Sequence, residues 1–180
     1  WKLGRISDAE KLLNKSLRVD PLYVKSYYDL AAIYLKSGKY DLCSRLLVRT
    51  LKRYPEVPEL RRLLSLCRLQ QEELEQAFTE AQAAVAIDPY CAAGYELLGY
   101  TLSRLGRYAE ARQAYSIGLT LDPSNVGMRV NMGLCCLRMG DLQEAHRYWE
   151  EALTLQPTNM GIRHNLDNLK GLLISKETEQ

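Results

Sequence analysis

The chain has 180 residues, of which 47% are hydrophobic and 26% charged, and its formal net charge is +2. This balance is typical of a folded globular protein and excludes a collagen-like or disordered chain. No run of about 18 apolar residues occurs, which excludes insertion into a membrane, and the small net charge disfavours nucleic acid as a partner.

A self-similar pattern runs through the chain with a period of 34 residues. Prolines mark it at Pro21, Pro55, Pro89, Pro123 and Pro157. A turn position recurs at Gly4, Gly38, Glu72, Gly106 and Gly140. Small side chains recur at Ala9, Cys43, Ala77, Ala111 and Ala145, and large apolar ones at Leu30, Leu64, Leu98, Met132 and Leu166. Several independent sets with one period indicate internal repeats.

Each period predicts two helices joined by a short turn. In residues 92–125, Tyr95, Leu98 and Leu102 form an apolar stripe at helical spacing. Gly106 then ends this first helix, because glycine adopts the left-handed conformation of a helix C-terminus without a steric penalty. The second helix stops before the next proline, which disfavours helix at the residue that precedes it.

The repeats divide the chain into seven consecutive parts. These are the second helix of a truncated repeat, four full repeats, a closing helix and a frayed polar tail: residues 1–23, 24–57, 58–91, 92–125, 126–159, 160–174 and 175–180. Residues 1–174 are predicted to form a single domain. Two second helices are predicted to start with capping boxes, Ser7-x-x-Glu10 and Asp141-x-x-Glu144.

The clearest repeat carries a recognisable motif. It reads Tyr95-x-x-Leu98-Gly99-x-x-Leu102, then Ala111-x-x-x-Tyr115, then Pro123. This motif resembles the tetratricopeptide repeat pattern, and the resemblance extends over nearly the whole chain. It implies an all-α fold, an α-solenoid in which helix-turn-helix repeats stack as a right-handed superhelix. It also implies that the first helices line a concave groove that holds peptide segments of partner proteins.

The repeat 58–91 fits this pattern least well. Ser65 replaces the glycine at which the two helices pack, and Glu72 replaces the glycine of the turn. We therefore expect the geometry of this repeat to deviate from that of the others.

Helical spacing predicts which side chains line the groove. An asparagine amide both donates to and accepts from a peptide backbone. Cations at the ends of first helices favour an acidic or C-terminal carboxylate peptide, and tyrosines supply apolar anchors. The predicted groove residues are Tyr28, Lys36, Arg62, Tyr100, Arg104, Asn131, Arg138, Asn165 and Asn168. Two alternatives stay open: the asparagines are simply solvated, and the cations only complement helix dipoles.

The cysteines and histidines do not form a metal-binding pattern. The cysteines are Cys43, Cys67, Cys91, Cys135 and Cys136, and no Cys-x-x-Cys pair occurs. His146 and His164 offer no matching ligand spacing, so we predict neither a metal nor a cofactor. Cysteines used as free thiols and small core side chains favour a reducing, cytoplasmic compartment.

The sequence also lacks catalytic motifs. It has no Gly-rich phosphate loop, nucleophile elbow or HExxH motif, so we expect no enzymatic activity. The predicted function is a scaffold that binds a peptide segment of another protein in its groove. Three alternatives stay open: a regulatory or targeting arm of a larger enzyme or complex, since the chain lacks an initiator Met; RNA binding, which the nearly neutral charge disfavours; and self-association through the truncated first repeat.

Overall fold

A computed structural model of the chain describes residues 8–9, 11–15, 19–20 and 23–178, with the side chains of the last helix described as far as Gly171. The predicted capping box Ser7-x-x-Glu10 and most of the predicted first helix lie outside these residues. The residues that are described form helices, turns and loops without a strand. None of their helices has the length and apolar character needed to span a membrane.

Nine helices follow one another from Val24 onward, and they fall into two compact units, Trp1–Pro89 and Tyr90–Gln180. The first unit contains α1 (Val24–Lys36), α2 (Tyr40–Leu51), α3 (Pro58–Gln70) and α4 (Leu74–Ile87). The second contains α5 (Ala92–Arg104), α6 (Tyr108–Leu121), α7 (Val126–Arg138), α8 (Leu142–Leu155) and α9 (Met160–Thr178). The predicted all-α fold is therefore confirmed, and each predicted full repeat holds one pair of helices. A single domain over residues 1–174 stays a prediction.

The last helix is longer than predicted. We expected a closing helix over residues 160–174 and a frayed tail from 175, whereas α9 continues to Thr178. The added residues include Lys176 and Glu177, which are good helix formers, and no glycine or proline interrupts them. The polarity of this segment did not predict the end of the helix.

The turns inside the four helix pairs share one geometry. Gly38, Gly106 and Gly140 adopt positive φ values of 72°, 76° and 81°, and Glu72 adopts 61°. At the end of α3, the N–H of Glu73 donates to the carbonyl oxygen of Arg68 over 2.9 Å, and the corresponding bonds of the other three turns have the same length. The expected deviation of the repeat 58–91 is therefore absent at its turn, because these backbone bonds hold the glutamate in the left-handed conformation.

The helices of one pair pack through side chains of complementary size. A Cβ added to Gly99 would lie only 2.7 Å from the ring of Tyr115, so the absence of a side chain on α5 makes room for the tyrosine from α6. The pair α3–α4 has Ser65 and Ala81 at the equivalent positions, and both are fully buried. The Ser65 hydroxyl donates to the carbonyl oxygen of Ala77 over 2.8 Å, which satisfies its hydrogen-bonding group. A small residue on α4 thus compensates for the larger one on α3.

A disulfide joins α2 to α3, which corrects the expectation that the cysteines are free thiols. It links Cys43 and Cys67, whose Cα atoms lie 6.7 Å apart, while Cys91, Cys135 and Cys136 are free. The sequence did not predict this disulfide, because neither cysteine belongs to a spacing motif. The two cysteines come together only because α2 packs against α3. Disulfides persist mainly in oxidising compartments, so the thiol argument for a cytoplasmic location now rests on the other three cysteines.

The capping box predicted at Asp141 is not formed. The Asp141 side chain makes no capping hydrogen bond, and its Oδ2 atom lies 3.5 Å from Nη1 of Arg112. Glu144 instead pairs with Arg147 over 2.7 Å. Each carboxylate therefore forms an ion pair with an arginine in place of a capping hydrogen bond to the backbone of α8. A cap that was not predicted occurs at α7, where Oδ1 of Asn125 accepts from the backbone N–H of Met128 over 2.8 Å.

Candidate functional site

The nine predicted groove residues all lie on the first helices of pairs or on α9. Three belong to the first unit: Tyr28, Lys36 and Arg62. Six belong to the second unit: Tyr100, Arg104, Asn131, Arg138, Asn165 and Asn168. Each is exposed or partly exposed, so all of them are accessible to a ligand. Arg62, Asn131 and Asn165 are partly buried, which restricts the directions in which their side chains can point.

In the first unit, a cleft of about 300 Å³ opens between the N-terminal parts of α1 and α3. Its lining residues are Val24, Lys25, Tyr28, Val57, Glu59 and Leu60. The accessible surface of this cleft is almost entirely apolar, and Tyr28 remains 37% exposed. An apolar cleft with one accessible aromatic ring suits the side chain of a bound peptide. Lys25 and Glu59 add one charge of each sign.

Sequence reasoning selected Tyr28 but missed the rest of this cleft. Val57 lies in the loop before α3, and Leu60 is fully buried, so neither belongs to an exposed helix face. Pro58 is the first residue of α3 and fixes where the preceding loop enters the helix. This proline is a signal in the sequence that could have indicated the position of the cleft.

The predicted cations occupy the ends of their helices. Lys36, Arg104 and Arg138 are the last residues of α1, α5 and α7, and all three are accessible to solvent. At this place a cation stabilises the partial negative charge of the helix C-terminus by a few tenths of a kcal/mol. The dipole interpretation therefore has the geometry that it requires, and exposure leaves the same groups accessible to a carboxylate. Gln70 ends α3, where the hydroxyl of Tyr40 donates to its Oε1 atom over 3.4 Å.

The second unit has a polar group beneath its first-helix face. The hydroxyl of Tyr115 is buried, and it has no hydrogen-bond partner within the described residues. Burial raises the pKa of Tyr115 far above its ordinary value, the negative charges available to Cys135 and Glu96 add to this rise, and the Asn131 amide opposes it. Sequence reasoning treated Tyr115 only as a position of the repeat motif and missed this hydroxyl.

Glu96 is held in place on the same face. Its Oε2 atom accepts from Nδ2 of Asn125 over 3.2 Å, and it is partly buried. Asn125 is also the N-cap of α7, so one side chain fixes both the helix start and the carboxylate. This pair brings an anion to the N-terminal side of α7.

The two asparagines at equivalent positions are both partly buried but differ in their surroundings. The amide of Asn131 on α7 approaches the Tyr115 hydroxyl and lowers its pKa, whereas Asn165 on α9 forms no hydrogen bond with another described residue. Asn168 differs, because its Nδ2 lies 3.0 Å from Nε2 of His164 on the same helix. Asn165 is therefore available to a peptide backbone, whereas Asn168 is engaged by His164 and Asn131 lies against Tyr115.

Metal ligands do not converge among the described helices. Over the part of the chain that is described, no group of three or more His, Cys, Asp or Glu side chains converges on a point where an ion could sit. His146 lies on α8, where its Nδ1 is 3.5 Å from Oε2 of Glu150. The first-helix faces supply amides, cations and apolar side chains, which are the groups that a binding surface needs.

Known sequences match the chain on both sides of its midpoint. Two profiles of the tetratricopeptide repeat match it, one over residues 1–67 and the other over residues 92–125 and 129–159. The TPR repeat-containing protein PA4667 of Pseudomonas aeruginosa is 29% identical over 134 residues, which are 73% of this chain and 23% of that protein. The U-box domain-containing protein 70 of Oryza sativa subsp. japonica is 24% identical over 125 residues, 69% of this chain and 16% of that protein. The chain thus spans less than a quarter of the length of these curated relatives.

Solved structures share the fold of this chain. MamA superposes with a TM-score of 0.78 at 22% identity, over 87% of this chain and 91% of that one. TTC0263, a TPR protein of Thermus thermophilus, gives a TM-score of 0.73 at 23% identity, over 93% and 92% of the two chains. YrrB, a TPR protein with an unusual peptide-binding site, gives 0.76 at 20% identity, over 91% and 84%. These similarities show that the fold is that of tetratricopeptide repeat proteins.

Proposed function

Because the chain belongs to the tetratricopeptide repeat family, we propose that it binds a peptide segment of a partner protein on the faces of its first helices. Repeats of this family generally serve as non-catalytic scaffolds for interactions between proteins. The first helices of the four pairs are α1, α3, α5 and α7. YrrB, which shares the fold, is described as having a peptide-binding site, and this supports the same kind of function here.

The observation that carries the proposal is the cleft between α1 and α3. Its volume of about 300 Å³ and its apolar surface suit one or two side chains of a bound peptide. Tyr28 is 37% exposed there, although a helix pair needs no aromatic side chain on its solvent face. An exposed aromatic ring in an apolar cleft is typical of a residue that contributes strongly to binding.

The second unit supplies polar contacts of the kind that orient a peptide. The amides of Asn131 and Asn165 can bond to a peptide backbone irrespective of its side chains. Arg104 and Arg138 are accessible to solvent and favour a peptide that carries an acidic side chain or a C-terminal carboxylate. Tyr100 is 41% exposed and offers an aromatic contact.

The proposal is tested with peptides selected on the chain itself from a random display library. Tyr28→Ala is expected to weaken binding of the selected peptides about thirtyfold or more, because truncating an aromatic anchor typically costs at least about 2 kcal/mol. A second variant, Arg104→Ala/Asn131→Ala/Arg138→Ala, removes the polar contacts of the second unit. Isothermal titration calorimetry measures both affinities, and thermal melting verifies that the variants are folded.

The matched control is Ile117→Ala, which removes a 45% exposed apolar side chain from α6, a second helix. We expect it to leave peptide affinity unchanged. If the selected peptides bind both groove variants as tightly as the original chain, or lose affinity only in Ile117→Ala, the first-helix faces are not the binding surface.

A second candidate function is that of a regulatory or targeting arm of a larger enzyme or complex. The observation that favours it is that the chain spans 23% and 16% of the length of the relatives described above. Reading the gene beyond both ends of this sequence tests the idea. An adjoining catalytic domain supports it, whereas a reading frame that contains only further repeats contradicts it.

A further inference from the structure

The exposed face of α2 is unusually basic. Arg45, Arg49 and Lys52 follow one another at i, i+4 and i+7 and are all exposed. Val48 lies among them and is 39% exposed. With Ser44, these four residues line a shallow depression of about 270 Å³. The buried side of the same helix consists of Cys43, Leu47, Thr50 and Leu51. We refer to Arg45, Val48, Arg49 and Lys52 as the α2 basic strip.

Among the described residues, no carboxylate pairs with the cations of the α2 basic strip. Arg49 and Lys52 form no ion pair within the described part of the chain, and Nε of Arg45 donates to the backbone carbonyl oxygen of Asp41. Asp41, in the first turn, is the one acidic residue of α2. Arg147 on α8 is different, because it pairs with both Glu144 and Glu151.

The repeat fold does not require cations at these positions. The equivalent positions of the other second helices carry one cation, Arg147, among nine side chains: Thr79, Ala83 and Ala86 on α4; Gln113, Ile117 and Thr120 on α6; Arg147, Glu151 and Thr154 on α8. None of those three helices has a basic residue in its last turn, so complementing the helix dipole is not a general need of second helices. Like charges four residues apart slightly destabilise a helix. Arg49, in the last turn of α2, complements the helix dipole, but Arg45 lies in the middle of the helix, where this effect does not act.

We propose that the α2 basic strip docks an acidic segment of a partner protein. Its cations span seven residues, or about 10.5 Å of helix, so carboxylates at i, i+4 and i+7 of an acidic helix match their spacing. Guanidinium groups pair well with carboxylates, and Val48 offers an apolar contact between them. Residues 1–57 carry 12 basic and 6 acidic side chains, which strengthens attraction for an acidic partner over a longer range.

The strip favours a protein segment over nucleic acid. Three cations on one helix are few for a phosphate backbone, whose binding usually draws on basic side chains spread over a wider face. The apolar Val48 in the centre suits a side chain of a peptide. This docking surface lies on a second helix and is independent of the first-helix faces proposed above.

A synthetic peptide tests the proposal. The probe is a fluorescein-labelled, alanine-based helix of about 15 residues with Glu at i, i+4 and i+7 and Leu at i+3. The variant is Arg45→Thr/Arg49→Ala/Lys52→Ala, which gives α2 the side chains of α4. Because the variant removes three exposed ion pairs, each of which contributes little, we expect roughly tenfold weaker binding, measured by fluorescence anisotropy. The melting temperature should not fall, and raising salt from about 50 to about 300 mM should weaken binding to the original chain only.

Two variants serve as matched controls. Gln113→Ala/Ile117→Ala/Thr120→Ala changes the equivalent positions on α6, and Tyr28→Ala changes the cleft between α1 and α3. Both are expected to bind the acidic peptide like the original chain, and the second separates this surface from the proposed peptide-binding faces. Equal binding by the α2 variant, or no binding by the original chain, overturns the proposal. It is also overturned if single-stranded DNA or phosphatidylserine vesicles bind through the same three residues more tightly than the peptide does.

Discussion

Glu72 occupies a backbone conformation that favours glycine. Its φ is 61°, whereas glycine fills the same turn position in the other three helix pairs. A residue with a Cβ in the left-handed region destabilises the fold by about 1–2 kcal/mol, and glycine relieves this strain. Part of the relief is offset, because glycine also makes the unfolded chain more flexible. We therefore expect Glu72→Gly to raise the free energy of unfolding by about 1 kcal/mol, measured by urea denaturation.

The reverse substitution in another turn is the control for Glu72→Gly. Gly106→Ala places a Cβ at a φ of 76° and should lower the free energy of unfolding by about 1 kcal/mol or more. Lower stability of Glu72→Gly would show that contacts of the glutamate side chain outweigh the backbone strain.

Tyr115 carries a hydroxyl whose removal should be stabilising. The hydroxyl is buried without a hydrogen-bond partner among the described residues, and such a group costs about 1–3 kcal/mol. Tyr115→Phe retains the ring that packs on Gly99 and is expected to raise the free energy of unfolding near pH 7 by about 1 kcal/mol. Urea denaturation measures this change, and an unchanged or lower value would mean that the hydroxyl is satisfied in solution.

The same variant should change the stability of the chain in alkaline solution. Burial raises the pKa of Tyr115 in the folded state, whereas the unfolded residue releases its proton near pH 10. The neutral side chain therefore stabilises the fold below about pH 10, and this contribution falls as the pH rises further, by up to about 1.4 kcal/mol per pH unit. Tyr115→Phe should lose less stability between pH 9 and pH 11 than the original chain.

The sequence predicted the conformation and exposure of some residues, but it did not predict contacts between residues of different helices. The periodicity identified Glu72 as a turn residue, because a backbone position repeats with the chain. It also predicted the accessibility of Tyr28 and Tyr100, since helical spacing determines the exposed face. The buried hydroxyl of Tyr115 and the contribution of Val57 to the cleft depend on distances between different helices. Those distances are not encoded in a spacing pattern.

At the scale of helices, the disulfide between Cys43 and Cys67 provides a direct test of how α2 and α3 pack. The cysteines are separated by 24 residues, and closing a loop of this size restricts the unfolded chain. Reduction should therefore lower the free energy of unfolding by about 3 kcal/mol. Urea denaturation with and without a phosphine reductant measures the difference.

Alanine substitution and mass spectrometry complete the disulfide test. Cys43→Ala/Cys67→Ala should unfold identically with and without reductant, and alanine is already present at the position of Cys43 in the next three repeats. After alkylation of the unfolded original chain, we expect three labelled cysteines without reductant and five with it. Five labels without reductant would contradict the disulfide.

The helices themselves were predicted more accurately than their ends. Apolar spacing and the proline series placed every first and second helix of the four full repeats, because both signals act over a whole helix. The end of α9 and the cap of α7 were missed, since each depends on one or two local hydrogen bonds. Asn125 illustrates this, because its side chain caps α7 although no capping motif stands out in the sequence. Asp141 shows the opposite case, where a capping motif is present and an ion pair with Arg112 takes its place.

On the scale of the whole molecule, each compact unit has a core of its own. In the first unit, buried side chains from α1, α2 and α3 pack together, among them Leu30, Leu47 and Leu64. In the second, Trp149 from α8 packs with Ile162 and Leu169 from α9. Repeat arrays gain their stability from neighbouring repeats and not from distant parts of the chain. We therefore expect each unit to fold alone.

A fragment of residues 90–180 should fold without the rest of the chain. It keeps the pairs α5–α6 and α7–α8 together with α9, so its buried contacts remain intact. We expect helical circular dichroism and cooperative urea unfolding, with an m-value of about half that of the complete chain, because m scales with the surface exposed on unfolding.

A fragment of residues 108–180 is the matched control, because it removes α5 and with it the contact between Gly99 and Tyr115. This shorter fragment should unfold at much lower urea concentration. Equal stability of the two fragments would contradict this prediction, and so would an unfolded fragment of residues 90–180. In either case the core of the second unit would not be sufficient for its stability.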